Sequence, residues 1–226
     1  MAKTSLKISQ KVARILIVDD HPLVREGLSL QIRTQPDLQV CGEAEDVQEA
    51  LALVKSTKPD LAVVDISLKT GSGIDLIKRI KAHNESIPVL VCSMFQENLY
   101  AERAFRAGAS GYVHKGRALR EIIEGIRTVL AGKTFVSPEL SGELISRLFK
   151  KASQKGVHPG LECLSDREME TFSLLGQGLS TEDIAERMHV SPGTIATYRL
   201  RIKEKLGLEK VSELIQRASQ WVLENA

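Results

Sequence analysis

Two acids, Asp19 and Asp20, stand side by side directly after the aliphatic run Ile15-Leu16-Ile17-Val18. Adjacent carboxylates repel each other and resist burial, so the pair demands a counter-charge. Another acid, Asp65, follows Leu61-Ala62-Val63-Val64; Ser93 follows Val89-Leu90-Val91-Cys92; Lys115 lies just beyond Gly111-Tyr112-Val113. Each of these polar groups sits at the carboxyl end of a strand-like run. Three carboxylates brought together would be pushed toward their neutral forms, and a hard divalent cation relieves that. Mg2+ suits such a set. It takes oxygen ligands at about 2.0 to 2.1 Å, keeps several waters, and needs only one or two carboxylates and a carbonyl from the protein. Taken singly, Asp20 reads as the N-cap of a helix starting near Pro22, and Asp65 as a loop acid. Taken together, the five positions point to a metal-assisted centre.

These residues meet only if the elements carrying them lie side by side. Between Arg14 and about Ala131, short aliphatic runs alternate with helical periodicity. Strands are expected at 15–18, 38–43, 61–64, 89–92 and 110–113, and helices at 23–34, 47–57, 74–83, 97–107 and 118–131. Such strand-helix repeats imply a parallel sheet covered on both faces, because parallel strands need crossover connections. The continuous apolar character of the strands fits burial on both sides. In open α/β sheets the functional crevice lies outside the carboxyl ends of the strands, where the polar groups fall.

The rest of the chain has a different grammar. A candidate helix at 139–150 is followed by KKASQKGVHPG (150–160), a Lys-, Gly- and Ser-bearing hinge. Beyond it, helix ends are written in the sequence. Ser165 and Glu168 form a capping box for a helix that stops before Gly176 to Gly178. Ser180 opens a short helix reaching Met188, and Ser191 with Pro192 opens another that Gly207 ends. Within that third helix Ile195, Tyr198, Ile202 and Leu206 recur at inward spacing, and the last helix carries a stripe of Val211, Leu214, Ile215, Ala218, Trp221 and Val222.

A chain of 226 residues has room for two cores. It has no apolar run near the ~20 residues of a membrane span. Residues 1–13 carry Lys3, Lys7 and Lys11 but no secretory apolar segment, and read as a disordered lead-in to a cytoplasmic protein. Cys41, Cys92 and Cys163 lie far apart with no CxxC pair, which indicates neither a disulfide framework nor a zinc site. The formal charge is +2, but residues 161–226 hold 8 Lys+Arg against 11 Asp+Glu, a local −3. Any nucleic-acid affinity must therefore be local.

On IVDDHPLVREGL (17–28), VVDISL (63–68), VCSM (91–94), AGASGYVHK (107–115) and LSDREMETFSLLGQGLSTEDIAERMHVSPGTIATYRLRIKEKLGL (164–208), the chain resembles two-domain response regulators of the NarL/FixJ class. The resemblance implies an α/β doubly wound (βα)5 flavodoxin-like receiver domain at 14–134 and a linker at 135–160. An all-α four-helix LuxR-type helix-turn-helix domain would follow at 161–226. It implies that Asp65 accepts a phosphoryl group from a partner histidine kinase, with Mg2+ held by Asp20, Asp65 and the Ser67 carbonyl and with Asp19 acting through water. Lys115 would pair with a phosphoryl oxygen, Ser93 would move inward to bond another, and Tyr112 would switch rotamer. Such a protein is not an enzyme beyond slow self-catalysed phosphorylation and dephosphorylation.

The same resemblance gives the third helix of the second domain to DNA, through Thr194, Ala196, Thr197, Arg199, Leu200, Arg201, Lys203 and Lys205, and the last helix to a homodimer. The chain departs from the class in places. SLKTGSG follows Asp65 where many members have a Met-Pro pair, and Glu182 and Ala196 stand where lysine is frequent. Fewer cations predict a shallower salt dependence, which Lys150, Lys151 and Lys155 would partly offset. Gly71 and Gly73 read as turn residues, since no phosphate-loop motif surrounds them. Two other readings compete. The acidic second domain could bind protein instead of DNA. Alternatively the chain could be a Mg2+-dependent aspartyl phosphatase of the haloacid-dehalogenase type, although Ser67 stands where that chemistry wants a second acid.

Overall fold

The computed structural model describes residues 12–94, 97–117, 119–138, 141 and 161–224. The lead-in up to residue 11, most of the candidate helix at 139–150 and the hinge lysines lie outside them. The first domain runs β1 (Ala13–Val18), α1 (Pro22–Arg33), β2 (Leu38–Ala44), α2 (Val47–Thr57), β3 (Leu61–Val64), α3 (Gly73–His83), β4 (Val89–Ser93), α4 (Glu97–Arg106), β5 (Gly111–His114) and α5 (Leu119–Leu130). The strands pair in parallel in the order β2-β1-β3-β4-β5. This order sets β1, β3, β4 and β5 next to one another, as convergence of the polar groups requires.

Alternation along each strand builds two cores. Ile15, Ile17, Leu61, Val63, Leu90, Cys92 and Val113 pack on one face with Leu28 and Ile32 of α1 and Ile122 and Ile126 of α5. Leu16, Val18, Ala62, Val64, Val89, Val91 and Tyr112 pack on the other with residues of α2, α3 and α4. The four residues of β1 that precede the acids are at most 1% exposed. Burying such a side chain contributes about 1.5–3 kcal/mol, enough to anchor a strand whose last residues are charged. Phe135 donates its N–H to Ser110 O and accepts from Tyr112 N, so it lies along β5.

The second domain opens with a 3-10 turn (Leu161–Cys163) and contains α6 (Asp166–Gly176), α7 (Thr181–Arg187), α8 (Pro192–Leu206) and α9 (Val211–Glu224). Reciprocal capping boxes start α6 at Ser165 and α7 at Ser180, and Ser191 caps α8. Phe172 of α6 meets Trp221 of α9 edge to face, with ring centroids 5.6 Å apart. Ile195 and Ile202 are fully buried and Tyr198 and Leu206 pack beside them, as their spacing predicts. The stripe on α9 is covered only in part: Leu214, Ala218 and Trp221 are buried, while Val211 and Ile215 remain exposed, because α6 meets the helix along a narrower strip than the stripe spans.

Candidate functional site

At the carboxyl end of the sheet, the ends of β1, β3 and β5 bring Asp19, Asp65 and Lys115 into one buried cluster. Lys115 Nζ lies 2.6 Å from Asp19 Oδ2 and 2.5 Å from Asp65 Oδ2, and all three side chains are at most 5% exposed. Backbone bonds hold the bases of these side chains. Asp19 N donates to Ala44 O, Asp65 N to Val18 O and Lys115 N to Ser93 O. Asp65 Oδ1 accepts from Ile66 N at 2.7 Å. Burial pushes the Asp65 carboxyl up to about 6, helped by Asp19 and opposed by Lys115 and the Ser93 hydroxyl. The Lys115 ammonium is held above its ordinary range, because Asp65 and Asp19 outweigh the cost of its burial. The Ser93 hydroxyl favours the charged forms of both Asp65 and Tyr112, and burial pushes the Tyr112 phenol well up.

Asp20 is the exception in this cluster. Its side chain is 2% exposed, yet neither oxygen has a hydrogen-bond donor; His21 Nδ1 lies 2.7 Å from one and His189 Nε2 3.3 Å from the other. It does not cap α1, contrary to its single-residue reading. The N-cap position is His21, and it is Asp19 Oδ1 that accepts from His21 N. Asp19, Asp20, His21 and Asp65 each offer a ligand atom within 4.8 Å of the others. Oxygens dominate the set and two of them lack donors, which fits a hard cation such as Mg2+.

Gly73, read from the sequence as a turn residue, has a sharper role. A methyl group there would overlap the Asp65 carbonyl, so the start of α3 approaches the acid's backbone as only glycine allows. Ser67 and Ser72 form an isolated bridge that closes the loop between β3 and α3.

Side chains of the second domain complete the surroundings, and no local pattern in the sequence announces them. Ser67 Oγ donates to Glu170 Oε1 at 2.9 Å. Arg167 pairs with Glu170 at 2.9 Å and donates to the carbonyls of Leu68, at 2.9 Å, and Gly71. Burial raises the Glu170 carboxyl, against the pull of Arg167 and Ser67. Arg103 of α4 donates to Leu164 O at 3.0 Å and Leu161 O at 2.9 Å and pairs with Asp166 at 3.1 Å. The second acid that an aspartyl phosphatase would need is absent: Ser67 turns to Glu170 instead.

On α8, Ala196, Thr197, Leu200 and Arg201 are exposed, while Thr194, Arg199 and Lys203 are half-buried. Several expected DNA-facing groups have partners within the domain. Arg199 donates to Thr181 Oγ1 at 2.9 Å, Lys203 to Glu209 O at 2.6 Å, and Lys205 to Glu168 Oε2 at 2.6 Å. Among the described residues, no helix is long and apolar enough to cross a membrane.

Residues 15–127 match the response regulator receiver domain family, and residues 162–218 match the bacterial regulatory proteins of the luxR family. The chain is 33% identical over 213 residues to the Fimbriae Z protein of Salmonella typhimurium, covering 94% of this chain and 99% of that one. It is similar in structure to a LuxR-family two-component response regulator from Aurantimonas sp. SI85-9A1, with TM-score 0.58, 37% identity, and coverage of 62% of this chain and 99% of that one. It is also similar to RcsB from Salmonella enterica serovar Typhimurium bound to promoter P1flhDC in the presence of the phosphomimetic BeF3−, with TM-score 0.58, 26% identity, and coverage of 93% and 100%. The acid-lysine cluster at the sheet's end and the capped helix-turn-helix behind it thus have the relatives they call for, and the chain belongs to the response regulators that join a receiver domain to a LuxR-type DNA-binding domain.

Proposed function

We propose that this chain is a phosphorylation-controlled transcription regulator whose phosphoacceptor is Asp65. The observation that carries the reading is the Lys115 ammonium shared by Asp19 and Asp65 beside the donor-less carboxylate of Asp20. An Asp65 oxygen attacks the phosphorus of a histidine kinase's phosphohistidine, the P–N bond breaks, and the imidazole leaves with the bonding pair and takes up a proton. Positioning and charge neutralisation do most of this work. Asp20, Asp65 and the Ser67 carbonyl would hold Mg2+, with Asp19 acting through water, and the bound ion would neutralise phosphoryl oxygens. Lys115 exchanges a carboxylate for a phosphoryl oxygen. Ser93 donates to another, which releases Tyr112 to change rotamer. Attack of water on phosphorus returns Asp65 and inorganic phosphate, a slow self-catalysed reset.

The output in this reading is DNA binding in the cytoplasm by α8, through Thr194, Ala196, Thr197, Arg199, Leu200, Arg201, Lys203 and Lys205. Two copies paired through α9 would meet a two-fold DNA site, a role supported by the exposure of Val211 and Ile215. Acetyl phosphate with Mg2+ is expected to add one phosphoryl group to wild type and none to Asp65→Asn, read by intact mass. The labelled chain is expected to bind selected genomic fragments more tightly than the unlabelled one. Equal labelling of both proteins would remove Asp65 as the acceptor.

A further inference from the structure

We infer that Asp20 also belongs to a second metal site, one for a Zn2+-type transition-metal dication, which it forms with the imidazoles of His21 and His189. The set assigned to Mg2+ is all oxygen; here nitrogen is added from two sides. His21 Nδ1 lies 2.7 Å from Asp20 Oδ1, and His189 Nε2, from the turn after α7, lies 3.3 Å from Asp20 Oδ2. The carboxylate between them is 2% exposed and accepts no hydrogen bond, so both oxygens are available to an ion. The two imidazoles are 58% and 47% exposed, which gives the ion a path from solvent. Neither histidine is the ordinary choice for its position. His21 is the N-cap of α1, where a short polar side chain is preferred, and its side chain makes no capping bond. His189 has a φ of 53°, in the left-handed region that glycine enters freely and other residues enter at a cost.

Zn2+ takes imidazole nitrogen at about 2.0–2.1 Å and carboxylate oxygen at about 2.0–2.2 Å, and three protein ligands with one water make a common set. Around a tetrahedral ion such donors stand about 3.3 Å from one another. The His189–Asp20 separation matches that edge, and the exposed His21 ring has room to lengthen its shorter one by rotation. Imidazole suits Zn2+, Ni2+ and Cu2+, whereas Mg2+ keeps to oxygen and water. The two histidines therefore select a different ion from the one the acceptor acids suit. Asp20 is common to both sets, so the two metals exclude each other there. The consequence rests on Asp65 being the acceptor with Asp20 helping to hold Mg2+: Zn2+ on the histidines withdraws Asp20 from loading, and the metal-bound chain accepts a phosphoryl group slowly.

The test uses the untagged full chain as wild type, His21→Ala, His189→Gly and Asp65→Asn. His21 makes no capping bond and glycine accepts the backbone of residue 189, so neither histidine variant disturbs its element. Zn2+ affinity is measured by calorimetry without Mg2+, and Co2+ replaces Zn2+ to report low-coordinate ligation by its visible absorption. Wild type and Asp65→Asn are expected to bind one ion per chain, and each histidine variant to bind at least about ten-fold more weakly and to lose the Co2+ bands. With Mg2+ and acetyl phosphate, stoichiometric Zn2+ is expected to slow labelling of wild type about ten-fold, whereas His189→Gly should label at one rate with and without Zn2+. Equal Zn2+ affinity in wild type and the histidine variants would overturn the site, as would loss of binding in Asp65→Asn alone, since the ion would then sit on the acceptor acids. Zn2+ held by the histidines with labelling unslowed would overturn the exclusion of Mg2+. Label on Asp65→Asn would sink the acceptor assignment and leave the histidine site standing.

Discussion

Asp20 shows how the site trades stability for binding. Its two oxygens are buried without a donor, and a buried polar group left unpaired costs about 1–3 kcal/mol. Asp20→Asn removes the charge while keeping the shape. The variant is expected to be more stable than wild type by about 1 kcal/mol without metal, and to lose the stabilisation that Mg2+ gives wild type. Thermal denaturation with and without Mg2+ checks both halves; a variant weaker than wild type in metal-free buffer would mean that His21 and His189 already satisfy the carboxylate. Asp19, Asp65, Ser93 and Lys115 were legible in the sequence because each ends a continuous apolar run, and strands buried on both faces put such residues at one edge. Gly73 was not, since its need arises from the packing of α3 against the Asp65 carbonyl. Nor was Glu170, which lies 103 residues from Ser67 and is brought there by the docking of one domain on another.

Among the elements, α6 depends on Glu168, which serves its own helix end and also α8. Its carboxylate accepts from Ser165 N at 2.7 Å and from Lys205 at 2.6 Å. Burial pushes the carboxyl up, but these bonds outweigh it and hold the group below its ordinary value. A depressed carboxyl stabilises the fold at pH above its unfolded value of 4.5, and that contribution is lost as pH falls through the lower folded value. Glu168→Gln keeps a capping-box acceptor but loses the charge that faces Lys205, and is therefore expected to cost about 1 kcal/mol near neutral pH. The difference from wild type should shrink toward zero in acid, as denaturant melts from pH 7 downward would show; a gap that persists below the folded value would assign Glu168 a packing role alone. Caps of this kind are legible because they are local, which is why the starts of α6, α7 and α8 agree with the sequence reading. The stripe on α9 is covered only in part because periodicity reports which residues are apolar, and only the neighbouring helix decides how many are covered.

At the scale of the whole molecule, two sets of charged contacts are placed differently toward water. Arg103–Asp166 and Arg167–Glu170 between and beside the domains are mostly shielded, with side chains at most 21% exposed. The outward face of α8 is open, and three of its cations are tied within their own domain, which leaves Arg201 as the foremost exposed charge. Salt screens exposed pairs strongly and shielded ones little. Each phosphate contact adds about 0.9 to the slope of log affinity against log salt, so about three contacts per domain give a slope near −3, and a paired molecule about twice that. Arg201→Ala should flatten the slope by about one per domain. Acetyl phosphate labelling across the same KCl series should stay nearly level, because Lys115, Asp19 and Asp65 are at most 5% exposed and salt hardly reaches them. A DNA slope unchanged in Arg201→Ala would place the main phosphate contacts off this face of α8, and labelling that changes steeply with salt would mean that exposed charges govern the loading of Asp65.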